Sequence, residues 1–287
     1  MTDFAIEARG LRKTYGKFEA LKGVNLNIPF GRIVGVIGAN GAGKTTLLNS
    51  ILGLATCEGE LSVLGANPGD NRGKLMEEVC FISDVATLPR WMSARQVFDY
   101  VEGVHPRFNR QLAMDYLAKT PVPLDRKIKK LSKGMIVLVH LSVVMAIDAR
   151  LLVLDEPTLG LDIIFRKDFY RALLEDYFDG ERTILITTHQ VEEIENILSD
   201  VIFVRGGEVV LADEMTNVLE EFKAVECSAQ EHEAALEALG PVAKEGSIGR
   251  KTFIFQGQAK ETLAQYGTVK RVGLADVFVA IMKGAAK

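Results

Sequence analysis

Residues 38–45 read Gly38-Ala39-Asn40-Gly41-Ala42-Gly43-Lys44-Thr45, with Thr46 next. Glycines spaced through such a run let backbone N–H groups turn inward around an oxyanion, because no Cβ stands in the way. The lysine supplies a cation for the β- and γ-phosphates of a nucleotide, and the Thr45 hydroxyl is a ligand for Mg²⁺. Further along, Leu151-Leu152-Val153-Leu154-Asp155-Glu156-Pro157 ends an apolar run in two carboxylates. Asp155 suits Mg²⁺ held through water, and Glu156 suits general-base attack by a water. Alone, such a run also fits a strand end that caps the next helix. Paired with the phosphate loop, it points to hydrolysis of a nucleoside triphosphate.

These residues need a scaffold, and its pattern is visible. Ile33-Val34-Gly35-Val36-Ile37 reads as a buried strand before the loop, and Thr46 to Leu52 as a helix after it. The helix brings its positive N-terminal end to the same site. Upstream, Ala5 to Ile28 alternates and turns at Tyr15-Gly16-Lys17 like an antiparallel sheet. Gly59 to Leu64 and Val79 to Ser83 predict further strands, and Pro89 to Lys130 a helical insertion punctuated by Pro106, Pro121 and Pro123. A helix over about Ile164 to Tyr177, a strand over Thr183 to Thr187, a helix over about Val191 to Leu198 and a hairpin over Val201 to Leu211 complete a core. Continuous apolar runs alternating with helices predict a mainly parallel sheet covered on both faces. Near Phe222 the pattern changes, with Glu231 to Leu239 helical and Thr252 to Phe255 a strand. The expected organisation is a nucleotide-binding unit over 1–220, its helical part over about 88–145, and a small α+β appendage over 221–287.

With 287 residues, 48% hydrophobic and 25% charged, the chain has the composition of a soluble globular protein. Its net charge of −4 gives no global attraction to nucleic acid, and none is expected as a partner. Cys57, Cys80 and Cys227 are odd in number and far apart, which suggests neither a disulfide framework nor a zinc site. A reducing, cytoplasmic setting fits. There is no basic-then-apolar leader, and the most apolar stretch, Met135 to Ile147, is 13 residues and too short to span a bilayer. Work at a membrane would require a separate spanning chain.

The order of these motifs over residues 4–215 resembles the ATP-binding cassette (ABC) ATPases, and so implies an α/β phosphate-loop NTPase of that type. Tyr15 matches the family's adenine-stacking aromatic, and Gly38 to Thr45 its phosphate loop. Leu131-Ser132-Lys133-Gly134-Met135 resembles the signature, usually LSGGQ. Asp155 and Glu156 match the metal-binding aspartate and catalytic glutamate; Gly160-Leu161-Asp162 resembles the loop crossing the dimer interface; His189 matches the switch histidine at the γ-phosphate. The resemblance implies ATP and Mg²⁺ as cofactors. It also implies a homodimer or a heterodimer with a second cassette ATPase, a separate integral membrane permease, and a peripheral position on the inner face of the membrane.

Two positions depart from the family pattern. Where the family carries a glutamine touching Mg²⁺, the best match is Asp84, a harder ligand that adds negative charge. Lys133 and Met135 replace a glycine and a glutamine, a form similar to that of exporter-type subfamilies, including drug- and antibiotic-linked (Ytr-like) ATP-binding proteins. The ending Leu274-Ala275-Asp276-Val277-Phe278-Val279-Ala280 likewise resembles the close of exporter-type ATPases and favours export. Two other readings stand beside a transporter subunit: a soluble non-transport cassette ATPase, and an ATP-gated sensor subunit with weak turnover. The intact Glu156 and His189 speak against the second, and the lack of a second cassette or a coiled-coil or zinc insertion speaks against the first. His140 reads as packed, and Arg126 to Lys130 as a solvated basic face, with contact to a partner or a membrane surface as the alternative.

Overall fold

A computed structural model describes residues 3–83, 88–227, 230–247 and 250–284. Elements follow in the order β1 (Phe4–Tyr15), β2 (Phe18–Pro29), β3 (Ile33–Ile37), α1 (Lys44–Ile51), β4 (Glu58–Val63), α2 (Arg72–Leu75), β5 (Val79–Ile82), α3 (Ala94–Val104) and α4 (Arg110–Ala118). Then come α5 (Lys133–Met145), β6 (Leu151–Asp155), α6 (Ile163–Ala172), β7 (Thr183–Thr187), α7 (Val191–Ile194), β8 (Asp200–Arg205), β9 (Glu208–Glu214) and α8 (Met215–Glu221). The chain closes with β10 (Phe222–Cys227), α9 (Gln230–Ala238), β11 (Ala243–Ser247), β12 (Arg250–Gln256), α10 (Lys260–Leu263), β13 (Thr268–Arg271) and α11 (Leu274–Gly284).

The central sheet has the order β5-β6-β7-β3-β8-β9 and is parallel except for the β8–β9 hairpin. β3, β6 and β7 are buried at every position, which is why their sequences are apolar runs without alternation. Their side chains divide by parity between two cores. Val34, Val36, Val153 and Leu185 face β1, β2 and α1, whereas Ile33, Ile37, Leu152 and Ile186 face the helices of the other side. β2 shows the complementary pattern: Val24, Leu26 and Ile28 are buried while Asn25 and Asn27 are exposed, as one half-buried face requires.

β4 pairs with β1, giving a three-stranded antiparallel sheet of order β2-β1-β4. The expected helix over Ile164 to Tyr177 is α6 followed by a widened turn in which Phe178 N–H donates to the Leu173 carbonyl. The expected helix over Val191 to Leu198 is only one α-turn, tightening into a 3₁₀ turn at Glu195–Ile197. Within the helical insertion, α3 starts on a Ser93–Gln96 capping box and α4 on Asn109.

Residues 222–271 form a β-α-β-β-α-β unit whose sheet has the order β11-β12-β10-β13, all antiparallel, the split-βαβ arrangement. One face of that sheet has a core of its own, with Val225, Leu236, Phe253, Phe255 and Leu263 buried together. The opposite face is different. Ala224 and Ile254 join α11 residues Leu274, Val277 and Ala280 in the same core as Phe203 of β8. α11 is therefore held between the two sheets, with Phe278 edge-on to Phe203 at 5.2 Å and Arg205 Nη1 donating to the Ile281 carbonyl at 3.0 Å.

Candidate functional site

The loop after β3 turns into α1 at the carboxyl edge of the central sheet, where β6 and β7 also end and where open α/β sheets bind ligands. Its glycines are demanded by close approach. A Cβ on Gly43, at φ 110°, would lie 2.8 Å from the Ala20 carbonyl oxygen, and one on Gly38 would lie 2.5 Å from that of Val204. Lys44 is buried, and its Nζ donates to the Gly38 carbonyl at 2.6 Å and that of Ala39 at 3.3 Å. Burial lowers the Lys44 pKa, while the nearby Glu156 and Asp155 carboxylates act against that shift. A cavity of about 250 Å³ is lined by Phe18, Asn40, Gly41, Ala42, Gly43, Lys44, Thr45, Thr46, Asp155 and Glu156.

Asp155 ends β6 directly opposite Thr187 of β7. Thr187 Oγ1 donates to Asp155 Oδ1, and the other carboxylate oxygen, Oδ2, lies 3.5 Å from Thr45 Oγ1. A hydroxyl and a carboxylate oxygen converging beside a phosphate cradle form a hard donor set that fits Mg²⁺, which keeps its remaining positions for water and phosphate. Among the described residues no three His, Cys, Asp or Glu side chains group into a protein-only metal cage.

Glu156 has φ 50°, a left-handed conformation unusual for a side-chain-bearing residue and one placed directly before Pro157. Its N–H donates to the Thr187 carbonyl at 3.1 Å and to Thr187 Oγ1 at 3.3 Å, fixing that backbone. The side chain turns to His189, with Nδ1 and Oε2 2.9 Å apart. The chain just after His189 is tied to α6: Arg166 Nη1 donates to Gln190 and, at 2.8 Å, to Glu193. A second, larger cavity of about 800 Å³ adjoins the first, with Gly38, Asn40, Glu156 and His189 on one side and Ala275, Phe278 and Val279 of α11 on another.

The structure thus brings Gly38, Asn40, Gly41, Ala42, Gly43, Lys44, Thr45, Thr46, Asp155, Glu156 and His189 to one sheet edge. Ser132, Lys133 and Gly134 line neither cavity. They form the start of α5, where Ser132 Oγ accepts from the Met135 N–H at 3.2 Å. Tyr15 is 49% exposed with Lys13 Nζ 5.0 Å from its ring centroid; Phe18, its partner across the hairpin, is the aromatic that lines the phosphate-loop cavity. Asp84 lies outside the described residues. Sequence reasoning missed Phe18, Thr187 and Arg166. A hydroxyl closing an otherwise apolar strand was the available signal for Thr187; Arg166 carried none.

Residues 21–159 match the family model described as ABC transporter. The chain is 27% identical over 219 residues to the ABC transporter ATP-binding protein YtrB of Bacillus subtilis, covering 76% of this chain and 74% of that protein. It is 30% identical over 219 residues to the tungstate uptake system ATP-binding protein TupC of Peptoclostridium acidaminophilum, covering 72% of this chain and 98% of that one. Its fold is similar to that of an ATP-binding cassette solved as a dimer in a post-hydrolysis state with ADP and Pi. That match has a TM-score of 0.65 at 24% identity, over 73% of this chain and 98% of that chain.

Proposed function

The chain belongs to the ABC transporter family as an ATP-binding, ATP-hydrolysing subunit, and on that premise we propose that it drives export through a separate membrane permease. The observation that carries the catalytic part is the convergence of Lys44, Thr45, Asp155, Glu156 and His189 at the carboxyl edge of the sheet. In this reading the loop N–H groups and Lys44 hold the β- and γ-phosphates. Thr45 and Asp155 hold Mg²⁺, which supplies charge neutralisation on the phosphates. Glu156 accepts a proton from the attacking water, and His189 orients that carboxylate. Tyr15 and Phe18 offer aromatic faces for the base.

Ser132, Lys133 and Gly134 sit at a helix start away from the chain's own cradle, and in this reading they serve the nucleotide of a second cassette, the same chain or a related one. The exposed Leu159, Ile163 and Ile164, flanking Gly160-Leu161-Asp162, offer that partner an apolar surface. Among the described residues no helix is long and apolar enough to cross a membrane. In this reading the permease is a separate chain and the subunit docks on the inner membrane face. We take residues 1–220 as the ATPase unit, its helical part over about 88–145, and 221–287 as the appendage.

Export rests on the resemblance of Leu274 to Ala280 to exporter-type endings; the tungstate uptake relative shows that family membership alone leaves direction open. The test is co-purification with the membrane partner, followed by transport in inside-out vesicles. ATP-driven accumulation in the lumen is expected. ATP-driven loss from preloaded vesicles would mean import.

A further inference from the structure

The appendage carries a cavity of about 400 Å³ far along the chain from the nucleotide loop, formed where α8 meets β10, α10 and β13. Its apolar lining is Leu219, Phe222 and Val269; Phe222 is buried in the core shared with α11, so the apolar surface open to the cavity is that of the half-buried Leu219 and Val269. Its rim is cationic: Lys223, Lys260, Lys270 and Arg271, with Glu220 the one carboxylate among the lining residues.

The arrangement of those charges is costly without a counter-charge. Lys223 of β10 stands directly opposite Arg271 of β13, and like charges directly across an antiparallel pair destabilise it. Lys270 is matched by Glu226, and Lys223 Nζ donates to the Glu220 backbone carbonyl at 2.8 Å, a neutral group. Neither Lys260 nor Arg271 makes an ion pair among the described residues. The neighbouring carboxylate of Glu221 accepts instead from Gln256 Nε2 at 3.0 Å. With Lys270 neutralised, the three remaining lining cations face one lining carboxylate, Glu220, a surplus of two positive charges within the lining.

We propose that this cavity binds a phosphate-bearing organic anion, its dianionic head held by Lys223, Arg271 and Lys260 and its apolar part resting on Leu219 and Val269. A dianion matches the uncompensated charge, and the guanidinium of Arg271 can meet two phosphate oxygens at once. The volume exceeds what a bare phosphate fills, so the apolar lining is used only by a ligand with a carbon skeleton. Because α8 closes the ATPase unit and β10 opens the appendage, a bound anion ties the two together.

Phenyl phosphate is a suitable probe, with phenol and inorganic phosphate as its separate halves. It is titrated calorimetrically, without Mg²⁺, into the full chain carrying Lys44→Ala, which disables the phosphate loop. Binding tighter than for either half is expected, and Lys223→Gln/Arg271→Gln should weaken it at least tenfold. Lys244→Gln/Lys251→Gln, which removes two cations of the same appendage that are paired with Glu237 and Glu233, should leave it unchanged. The charge-removing pair should also raise the melting temperature of the anion-free protein, since it relieves the cross-strand repulsion; a protein that failed to fold would melt lower. The phosphate can come from a soluble molecule or a lipid head, so the same variants are sedimented with phosphatidylcholine vesicles containing phosphatidic acid. Capture by those vesicles alone, lost in Lys223→Gln/Arg271→Gln, assigns the cavity to a lipid phosphate. No binding in either arm, or binding indifferent to Lys223 and Arg271, overturns the proposal.

Discussion

His189 Nδ1 lies 2.9 Å from Glu156 Oε2, so a ring two residues beyond β7 meets a carboxylate one residue beyond β6. The contact joins the two strand ends across the site, and Thr187 underpins both. Replacing Glu156 by Gln keeps the shape but removes the proton acceptor. Turnover is expected to fall by ~10²–10⁴-fold with ATP affinity retained. Size-exclusion chromatography of Glu156→Gln should show more dimer with ATP and Mg²⁺ than with ADP. Retained turnover would remove Glu156 from the role of base.

Phe18 lines the phosphate-loop cavity while Tyr15 stands beside Lys13 across the hairpin. Base–aromatic stacking is worth ~1–3 kcal/mol, so Phe18→Ala should raise the KM for ATP about tenfold with little change in kcat. Tyr15→Ala should do less. A larger effect at Tyr15, read from the same steady-state curves, would assign the adenine to that ring instead.

Lys133 is the first residue of α5, where a cation opposes the helix dipole at a local cost of ~0.3–1 kcal/mol. That cost is offset if its ammonium meets a phosphate on a second subunit. On the Glu156→Gln background, Lys133→Ala should weaken ATP-driven dimerisation, measured by sedimentation, yet leave ATP affinity at low protein concentration unchanged. Melting temperature of the monomer should stay level or rise. Equal dimerisation at low and high salt would leave the lysine a solvated side chain.

His140 sits within α5 with its Nδ1 buried and unpartnered among the described residues, and burial depresses its pKa from 6.5 to about 4. The unfolded chain therefore takes up a proton near pH 6.5 that the folded chain refuses until about pH 4. Stability from this group is full above the unfolded value and is lost as pH falls through about 4, on the order of 3 kcal/mol in all. His140→Leu should flatten the fall of melting temperature between pH 7.5 and 5. It should also raise stability at pH 7.5 by relieving an unsatisfied nitrogen. Parallel melting curves for the two proteins would show that His140 does not titrate with unfolding.

The strands β3, β6 and β7 were legible because burial on both faces leaves continuous apolar runs, and the phosphate loop because Gly38 and Gly43 answer steric demands that no other residue meets. Other features were not. The pairing of β4 with β1 depends on contacts distant in sequence, and no local pattern of Gly59 to Leu64 announces its partner. The early end of α6 follows from a single widened turn, invisible to a periodicity of 3.6. Within the site, the loop glycines, Lys44 and the Asp155–Glu156 pair stand in a recognisable spacing, whereas Thr187 and Arg166 bond to residues distant in sequence and carry no spacing of their own.

α11 gives the chain an unusual seam. Leu274, Val277 and Ala280 belong to the same core as Phe203, and Phe278 and Val279 wall the cavity that holds Glu156 and His189. Grafting the split-βαβ unit onto another cassette would strand apolar side chains on both sides of the cut unless the partners of α11 on β8 travelled with it. A change in the tail is therefore also a change beside Glu156 and His189.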